Sequence, residues 1–231
     1  MKRLVVLIDD GHGYNTPGKS SPTFFQETKV GDKLIPAGGR FRENTFNVAV
    51  ADALEELLLK RNILSVQLAP EHEDIPLKTR KDRQNKLFTK YSKLGFRVVT
   101  ISIHANAWHP NSHIEFTSAH GIETFYRDIP LEEATNEESK KLAQLIQTRT
   151  VKIKNQRDRG IKFEPRFYIV RNSYGPTVLY EGGFMTNKTE LEYLANKDYQ
   201  FQTANAIHEA VLEFQGFSYI GNLNPKSERR V

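Results

Sequence analysis

The chain has 231 residues and a formal net charge of +5 at pH 7, long enough to build one substantial core. It contains no cysteine, which excludes disulfide frameworks, cysteine nucleophiles and thiolate metal sites, so any metal must be held by histidine or carboxylate. Lysine and arginine are spread along the chain rather than interleaved with aromatics in one block, which argues against nucleic acid, and no apolar run is long enough to span a bilayer.

Residues 4–8 form a continuous apolar run and read as a first, buried strand. Glycine, proline, serine and lysine then dominate residues 16–39 without a period, which reads as a long loop with a small hairpin at 29–35. Phe46, Val50, Ala53, Leu54, Leu57 and Leu58 share one helical face, so a helix is predicted from Asn44 to about Arg61. A second strand at 63–69, a helix from Pro76 to Lys93 stopped at Gly95, and a β-branched strand at 97–103 follow. Residues 122–126 alternate as a half-buried strand. Leu142, Leu145, Ile146 and Ile153 repeat at helical spacing within a predicted helix at 135–156. Strands are predicted at 167–170 and 177–180, then helices at 188–195 and 200–214. The alternation predicts a single α/β domain over residues 1–216, interrupted by the loop at about 16–41. Its sheet is expected to be twisted and mixed but mostly parallel, with helices on both faces and chemistry at the carboxyl ends of the strands. Residues 217–231 read as a polar, poorly ordered tail.

The strand at 97–103 runs into Ser102-Ile103-His104-Ala105-Asn106-Ala107. A histidine there occupies the end of the sheet where open α/β folds keep their sites. The first strand leads in the same way into Asp9-Asp10-Gly11-His12-Gly13, and two strand-end histidines suggest one shared metal. A catalytic zinc needs three protein ligands and an open position. Glu43, just ahead of the first long helix, is the best third ligand, although an acidic residue there equally complements the helix dipole. Glu27, within the loop, is a weaker competitor. Asp9 and Asp10 are read as turn-shaping residues or as acceptors behind a metal-bound histidine. His109 and His113 have helical spacing, but Pro110, Asn111 and Ser112 oppose a helix, so both are read as loop residues. His120 and His208 are read as structural. Glu181 ends an apolar strand and precedes two glycines, and a carboxylate there needs a partner or a purpose. It could bridge to Arg166 or Arg171. Beside a metal, it could instead move a proton from attacking water to a leaving amine. Gly11-His12-Gly13 lacks the lysine and spacing of a phosphate loop, and no serine sits in a nucleophile elbow.

Taken in order, these motifs resemble the zinc-dependent N-acetylmuramoyl-L-alanine amidases of the autolysin and phage-lysin type, from Leu4 to about Phe214. Asp9-Asp10-Gly11-His12-Gly13 corresponds to the family's Asp-Pro-Gly-His-Gly opening, and Glu43, Asn47 and Ala51 to its first helix. Leu77, Arg80 and Asn85 fit the Leu-x-x-Arg-x-x-x-x-Asn segment, and the hexapeptide from Ser102 to Ala107 is present without change. Gly121, Glu123 and Tyr126, then Pro176, Leu179, Glu181, Gly183, Phe184 and Asn187, complete the series.

The resemblance implies Zn2+ on His12, Glu43 and His104, with Glu181 as catalytic acid/base. It implies hydrolysis of the amide between N-acetylmuramic acid and L-alanine, with peptidoglycan as partner; the sequence itself leaves the oligomeric state open, a monomer being favoured. A zinc peptidase acting on stem peptides, or an inactive wall-binding domain, are the competing readings. Two departures stand out. Asp10 replaces a proline, and the segment between His12 and Glu43 is longer than the family's, so it is expected to line the substrate groove or act as a lid. Met1-Lys2-Arg3 and five apolar residues are too short for a signal peptide. Release as a phage or prophage lysin, or non-classical export to the wall, is therefore expected.

Overall fold

The apolar run near the N-terminus forms strand β1 (Leu4–Asp9) of the computed structural model, which describes residues 3–71, 73–108 and 115–216. Leu4, Val6 and Ile8 enter one core, and Val5 and Leu7 enter another on the opposite face. Burial on both faces explains the unbroken apolar run, where a half-exposed strand would alternate. The expected hairpin is β2 (Thr28–Val30) with β3 (Lys33–Ile35). Helix α1 (Glu43–Lys60) buries Phe46, Val50, Leu54 and Leu58 along the anticipated face. Then come β4 (Leu64–Gln67), α2 (Leu77–Lys93), β5 (Arg97–Asn106), β6 (Ile122–Tyr126), α3 (Glu133–Thr150), β7 (Asp158–Lys162), α4 (Tyr168–Arg171), β8 (Thr177–Phe184), α5 (Lys188–Leu194) and α6 (Lys197–Gln215).

The main sheet has the order β4-β1-β5-β8-β6-β7. β4, β1, β5 and β8 are parallel, β6 is antiparallel to β8, and β7 runs parallel to β6. One face is covered by α1, α3 and α6 over Val6, Ile8, Ile101, Ile103 and Tyr180. Leu87, Phe88 and Tyr91 of α2 pack on Val5, Leu7 and Val98 on the other face, as do Ile169 and Val170 of α4 on Phe125 and Leu179. The mixed, mostly parallel sheet with helices on both faces is thus the expected one. No helix among the described residues is long and apolar enough to cross a membrane.

Several boundaries differ from the sequence reading. Residues 167–170, predicted as a strand, form the one-turn helix α4, closed by Arg171 N–H to the Phe167 carbonyl at 2.9 Å. An apolar run of four residues carries too little periodicity to separate strand from helix. Strand β7 was not anticipated: as an edge strand it pairs on one side, so Asp158, Arg159 and Lys162 are tolerated there. The predicted helix at 135–156 stops at Thr150, and Lys154 and Asn155 beyond it adopt φ of 58° and 49°. The last helix starts earlier than predicted because the Asn196 side chain caps it, accepting the Tyr199 N–H at 2.9 Å. The polar tail at 217–231, with His109 and His113, lies outside the described residues.

The strand predicted at 177–180 continues through Glu181 to Phe184, and Gly182 explains why a strand tolerates glycine here. A Cβ on Gly182 would lie 2.5 Å from Phe46 Cζ of α1. Gly182→Ala is expected to lower unfolding stability by about 1–3 kcal/mol through overpacking, measured by urea denaturation.

The long loop is closed at its base. Ser21 N–H donates to the Phe41 carbonyl at 2.8 Å and Phe24 N–H to the Gly39 carbonyl at 2.9 Å. Its tip is held on the last two helices: Gly31 N–H donates to Glu192 Oε2 at 2.5 Å, and Asp32 Oδ2 accepts from Lys197 N–H at 2.8 Å. Such tethering at both ends fits a fixed wall better than a lid.

Candidate metal centre and substrate groove

The chain leaves β1 through α1 on one face to reach β4, then returns through α2 on the other face to β5. The connections therefore diverge between β1 and β5, and a crevice opens at the carboxyl ends of these strands. His12 follows β1 and His104 lies near the end of β5. Gly11 lets the two approach. Its φ is 68°, and a Cβ there would stand 2.7 Å from the Ile103 carbonyl oxygen and 2.4 Å from Asn47 Nδ2. Asn44 Nδ2–H donates to the His12 carbonyl at 2.7 Å and holds the turn against α1.

Glu43 is the first residue of α1, yet its carboxylate is only 3% exposed and faces the crevice. Glu43 Oε1 lies 2.9 Å from His104 Nδ1 and accepts the Ala105 N–H at 3.3 Å. Glu43 Oε2 lies 3.8 Å from His12 Nε2. The imidazole rings meet edge-on, with centroids 5.0 Å apart and planes at 79°. Ligand atoms from His12, Glu43 and His104 all lie within 4.8 Å of one another, so this group could hold a metal ion. Glu27, the weaker sequence candidate, is exposed ahead of β2 and is not in the group.

The electrostatics favour a cation. Burial pushes the His12 pKa down to about 3, despite the opposing Glu43 charge, so this ring is a neutral donor at physiological pH. Burial also works against a proton on His104, but the hydrogen bond and charge of Glu43 outweigh it and raise its pKa. Burial opposes ionisation of Glu43, and its hydrogen bond to His104 reverses the balance and lowers its pKa. Below that raised pKa a metal ion must displace the His104 proton. Metal affinity is expected to rise about tenfold per pH unit up to the His104 pKa and then to level off, which calorimetric zinc titrations across pH would show.

Behind His104 runs a chain of polar side chains. Ser102 is two residues earlier and so shares its face of β5, and in the β1–β5 register Ser102 lies opposite Asp9. His104 Nε2 is 3.1 Å from Ser102 Oγ, and Ser102 Oγ donates to Asp9 Oδ2 at 2.5 Å. Asp9 Oδ1 in turn accepts from Arg80 Nη1 at 3.1 Å, and Arg80 and Asp9 are both buried. With Nε2 engaged, Nδ1 is the nitrogen turned toward Glu43 and the crevice. Asp9 thus acts through Ser102, a contact set by the register between β1 and β5.

Glu181 lies beside His104 in the β5–β8 register and is 7% exposed. Its Oε2 has no hydrogen-bond partner among the described residues. Burial, reinforced by the charges of Glu43 and Glu123 and opposed by His104, pushes its pKa up to about 8. The bridge to Arg166 does not form, because the Arg166 guanidinium is held by Glu164 at 2.8 Å. Arg171 is exposed at the end of α4. His120 is exposed and binds the Ser118 carbonyl, and His208 is buried on α6, so neither joins the site.

A cavity of about 690 Å³ collects these groups. Pro17, Gly18 and Lys19, from the start of the long loop, form part of its wall opposite Phe167 and Tyr168 of the α4 region. Lys19 gave no signal in the aperiodic loop. Its placement follows from its backbone carbonyl, which accepts the Glu43 N–H at 3.0 Å.

Comparison with known proteins agrees with this architecture. LytC, an N-acetylmuramoyl-L-alanine amidase of Bacillus subtilis (strain 168), is 35% identical over 209 residues, 90% of this chain and 35% of LytC. The chain spans about a third of the length of two curated relatives and 80% of a third. The crystal structure of an N-acetylmuramoyl-L-alanine amidase from Clostridium difficile 630 superposes with a TM-score of 0.68 at 30% identity, covering 93% of this chain and 98% of that one. The catalytic domain of CwlV from Bacillus (Paenibacillus) polymyxa var. colistinus gives 0.65 at 26% identity, covering 93% and 98%. The family described as N-acetylmuramoyl-L-alanine amidase matches residues 6–213, nearly the whole described fold, and the chain belongs to it.

Proposed function

We propose that this domain cleaves the amide between N-acetylmuramic acid and L-alanine in peptidoglycan, using one zinc ion held by His12, Glu43 and His104. The carrying observation is a buried carboxylate with an unpartnered oxygen, Glu181, beside a His-Glu-His group within metal-ligating reach. Two imidazoles and one carboxylate suit zinc, and three protein ligands leave a position for the reaction. Bound there, zinc supplies Lewis acidity that polarises the scissile carbonyl and activates water.

The remaining work falls to the side chains. Ser102 and Asp9 fix the His104 ring, and Glu43 lowers the charge of the site. Glu181 accepts a proton from the attacking water and returns it to the alanine nitrogen. That return is needed because an amide anion is too basic to leave. A carboxyl whose pKa is pushed up to about 8 can pass a proton in either direction near neutrality.

The test is mass spectrometry of purified peptidoglycan digested with and without a chelator. Chelator-sensitive release of intact stem peptides with a new N-terminal L-alanine is expected. Shortened stem peptides would replace this reading with a peptidase.

A further inference from the structure

We propose that Glu190 and Tyr199 are positioning residues that clamp a bulge in β8 and so hold the Glu181 carboxylate where it meets the scissile amide. This inference rests on the amidase reading above and names what aims its acid/base.

The bulge follows from the register. His104 of β5 lies opposite Glu181, and Asn106 lies opposite Phe184. One residue of β5, Ala105, is therefore matched by two of β8, Gly182 and Gly183. Such an insertion is rare between parallel strands, and it bends the strand and re-aims neighbouring side chains. Here it begins immediately after Glu181. Alternation alone would send Glu181 and Phe184, three residues apart, to opposite faces of the sheet. With the extra residue, both line one compartment beside the metal-ligand cavity.

Two adjacent glycines are a soft support for a catalytic group. Gly183 has a φ of 130°, a conformation that side chains disfavour. Glu181 Oε2 has no hydrogen-bond partner among the described residues, so the backbone beneath must hold the carboxylate in place. Both ends of the bulge are gripped from the last two helices. The Tyr199 hydroxyl donates to the Gly182 carbonyl at 2.9 Å and itself accepts from Gln156 Nε2 at 2.9 Å. Glu190 Oε2 accepts the Phe184 N–H at 2.8 Å, and its Oε1 accepts the Gly121 N–H at 2.7 Å. Gly121 stands two residues before Glu123, which lies opposite Glu181 on β6. One carboxylate thus ties the end of β8 to the entry of β6.

Glu190 is diverted to this task. It is the third residue of α5 behind the cap Asn187, where an acid ordinarily reaches back to the N–H of the cap. That N–H is taken by the Phe184 carbonyl at 3.0 Å. The Glu190 carboxylate turns into the sheet instead and is 4% exposed. Burial raises its pKa against the pull of the two N–H donors, so the placement opposes its charge. Capping a helix does not call for a buried carboxylate; two inward-facing N–H groups do.

The experiment uses the zinc-loaded full chain and a soluble N-acetylmuramoyl tripeptide, with each substitution made alone and together with Glu181→Gln. Glu190→Gln keeps an acceptor for only one of the two N–H groups and turns a donor toward the other. It is expected to lower kcat by about 10- to 100-fold, with KM within about twofold of wild type and one zinc per chain. Tyr199→Phe removes a single hydroxyl and should lower kcat by about three- to tenfold. Added to Glu181→Gln, neither should lower the residual kcat by more than about twofold, because the group they aim is already gone. Rates are read well below each variant's melting temperature, so a loss of stability alone leaves them unmoved. If Glu190→Gln does not fold, Tyr199→Phe decides. Undiminished kcat in the folded variants, equal proportional losses in both backgrounds, or loss of zinc would overturn the inference while leaving the amidase reading intact. Failure of the wild-type protein to free the tripeptide's N-terminal alanine would overturn both.

Discussion

Glu181→Gln is expected to lower kcat by about 10²- to 10⁴-fold while zinc still binds one per chain. The amide has the same shape, so Gly182 still clears Phe46 and the strand is undisturbed. What is lost is the capacity to take and return a proton. Glu181 lies outside the group of His12, Glu43 and His104, so the metal should not leave with its carboxylate. Muropeptide release followed by chromatography gives the rate, and elemental analysis gives the metal content. Wild-type turnover in this variant would remove Glu181 from the mechanism, and loss of metal would make it a ligand.

His104→Ala is expected to abolish both stoichiometric zinc and turnover. Two donors remain, and one is the Glu43 carboxylate, which loses its 2.9 Å contact with His104 Nδ1. The carboxylate is buried, so its desolvation is then offset by weaker contacts: Ala105 N–H and Asn47 Nδ2 at 3.3 and 3.4 Å, and His12 Nε2 at 3.8 Å. Removing one partner of a buried hydrogen-bonded pair costs about 1–3 kcal/mol or more for a charged group. A lower melting temperature should therefore accompany the metal loss, even when wild type and variant are compared in chelator. A variant that keeps one zinc per chain would show that the ligand set is different.

The parts of this molecule legible in its sequence are those where one physical demand dominates. β1 and β5 are buried on both faces, and their apolar runs announce it. His12 and His104 are legible because polar rings at the ends of such runs have no packing role. Glu43 was ambiguous: a first-turn acid complements a helix dipole whether or not it turns inward, and only its burial shows that it does. Glu27 is set apart only by its position, exposed ahead of the hairpin and outside the His-Glu-His group. Residues 167–170 misled because a one-turn helix and a short strand bury the same apolar residues. Arg159 and Lys162 were silent. An edge strand shows no hydrophobic alternation, and their shared partner Glu123 is far away in sequence. The link from His104 through Ser102 to Asp9 was readable in part. Strand period gives Ser102, but Asp9 requires the register between two strands.

The base of the long loop carries one more consequence. Ser21 and Phe41 are joined by a backbone hydrogen bond, so residues 22–40 depart and return at one point, while Val30 and Ile35 between them pack into the main core. Length added between Ser21 and Phe41 need not displace either neighbour, and loop closure grows only slowly more costly with length. The residues that border the groove, Pro17 to Lys19, sit before that point, and the helix that opens with Glu43 begins after it. Evolution or a protein engineer could therefore lengthen its exposed turns at 25–27 and 36–38 at little expense, whereas deleting the whole excursion would uncover Val30 and Ile35.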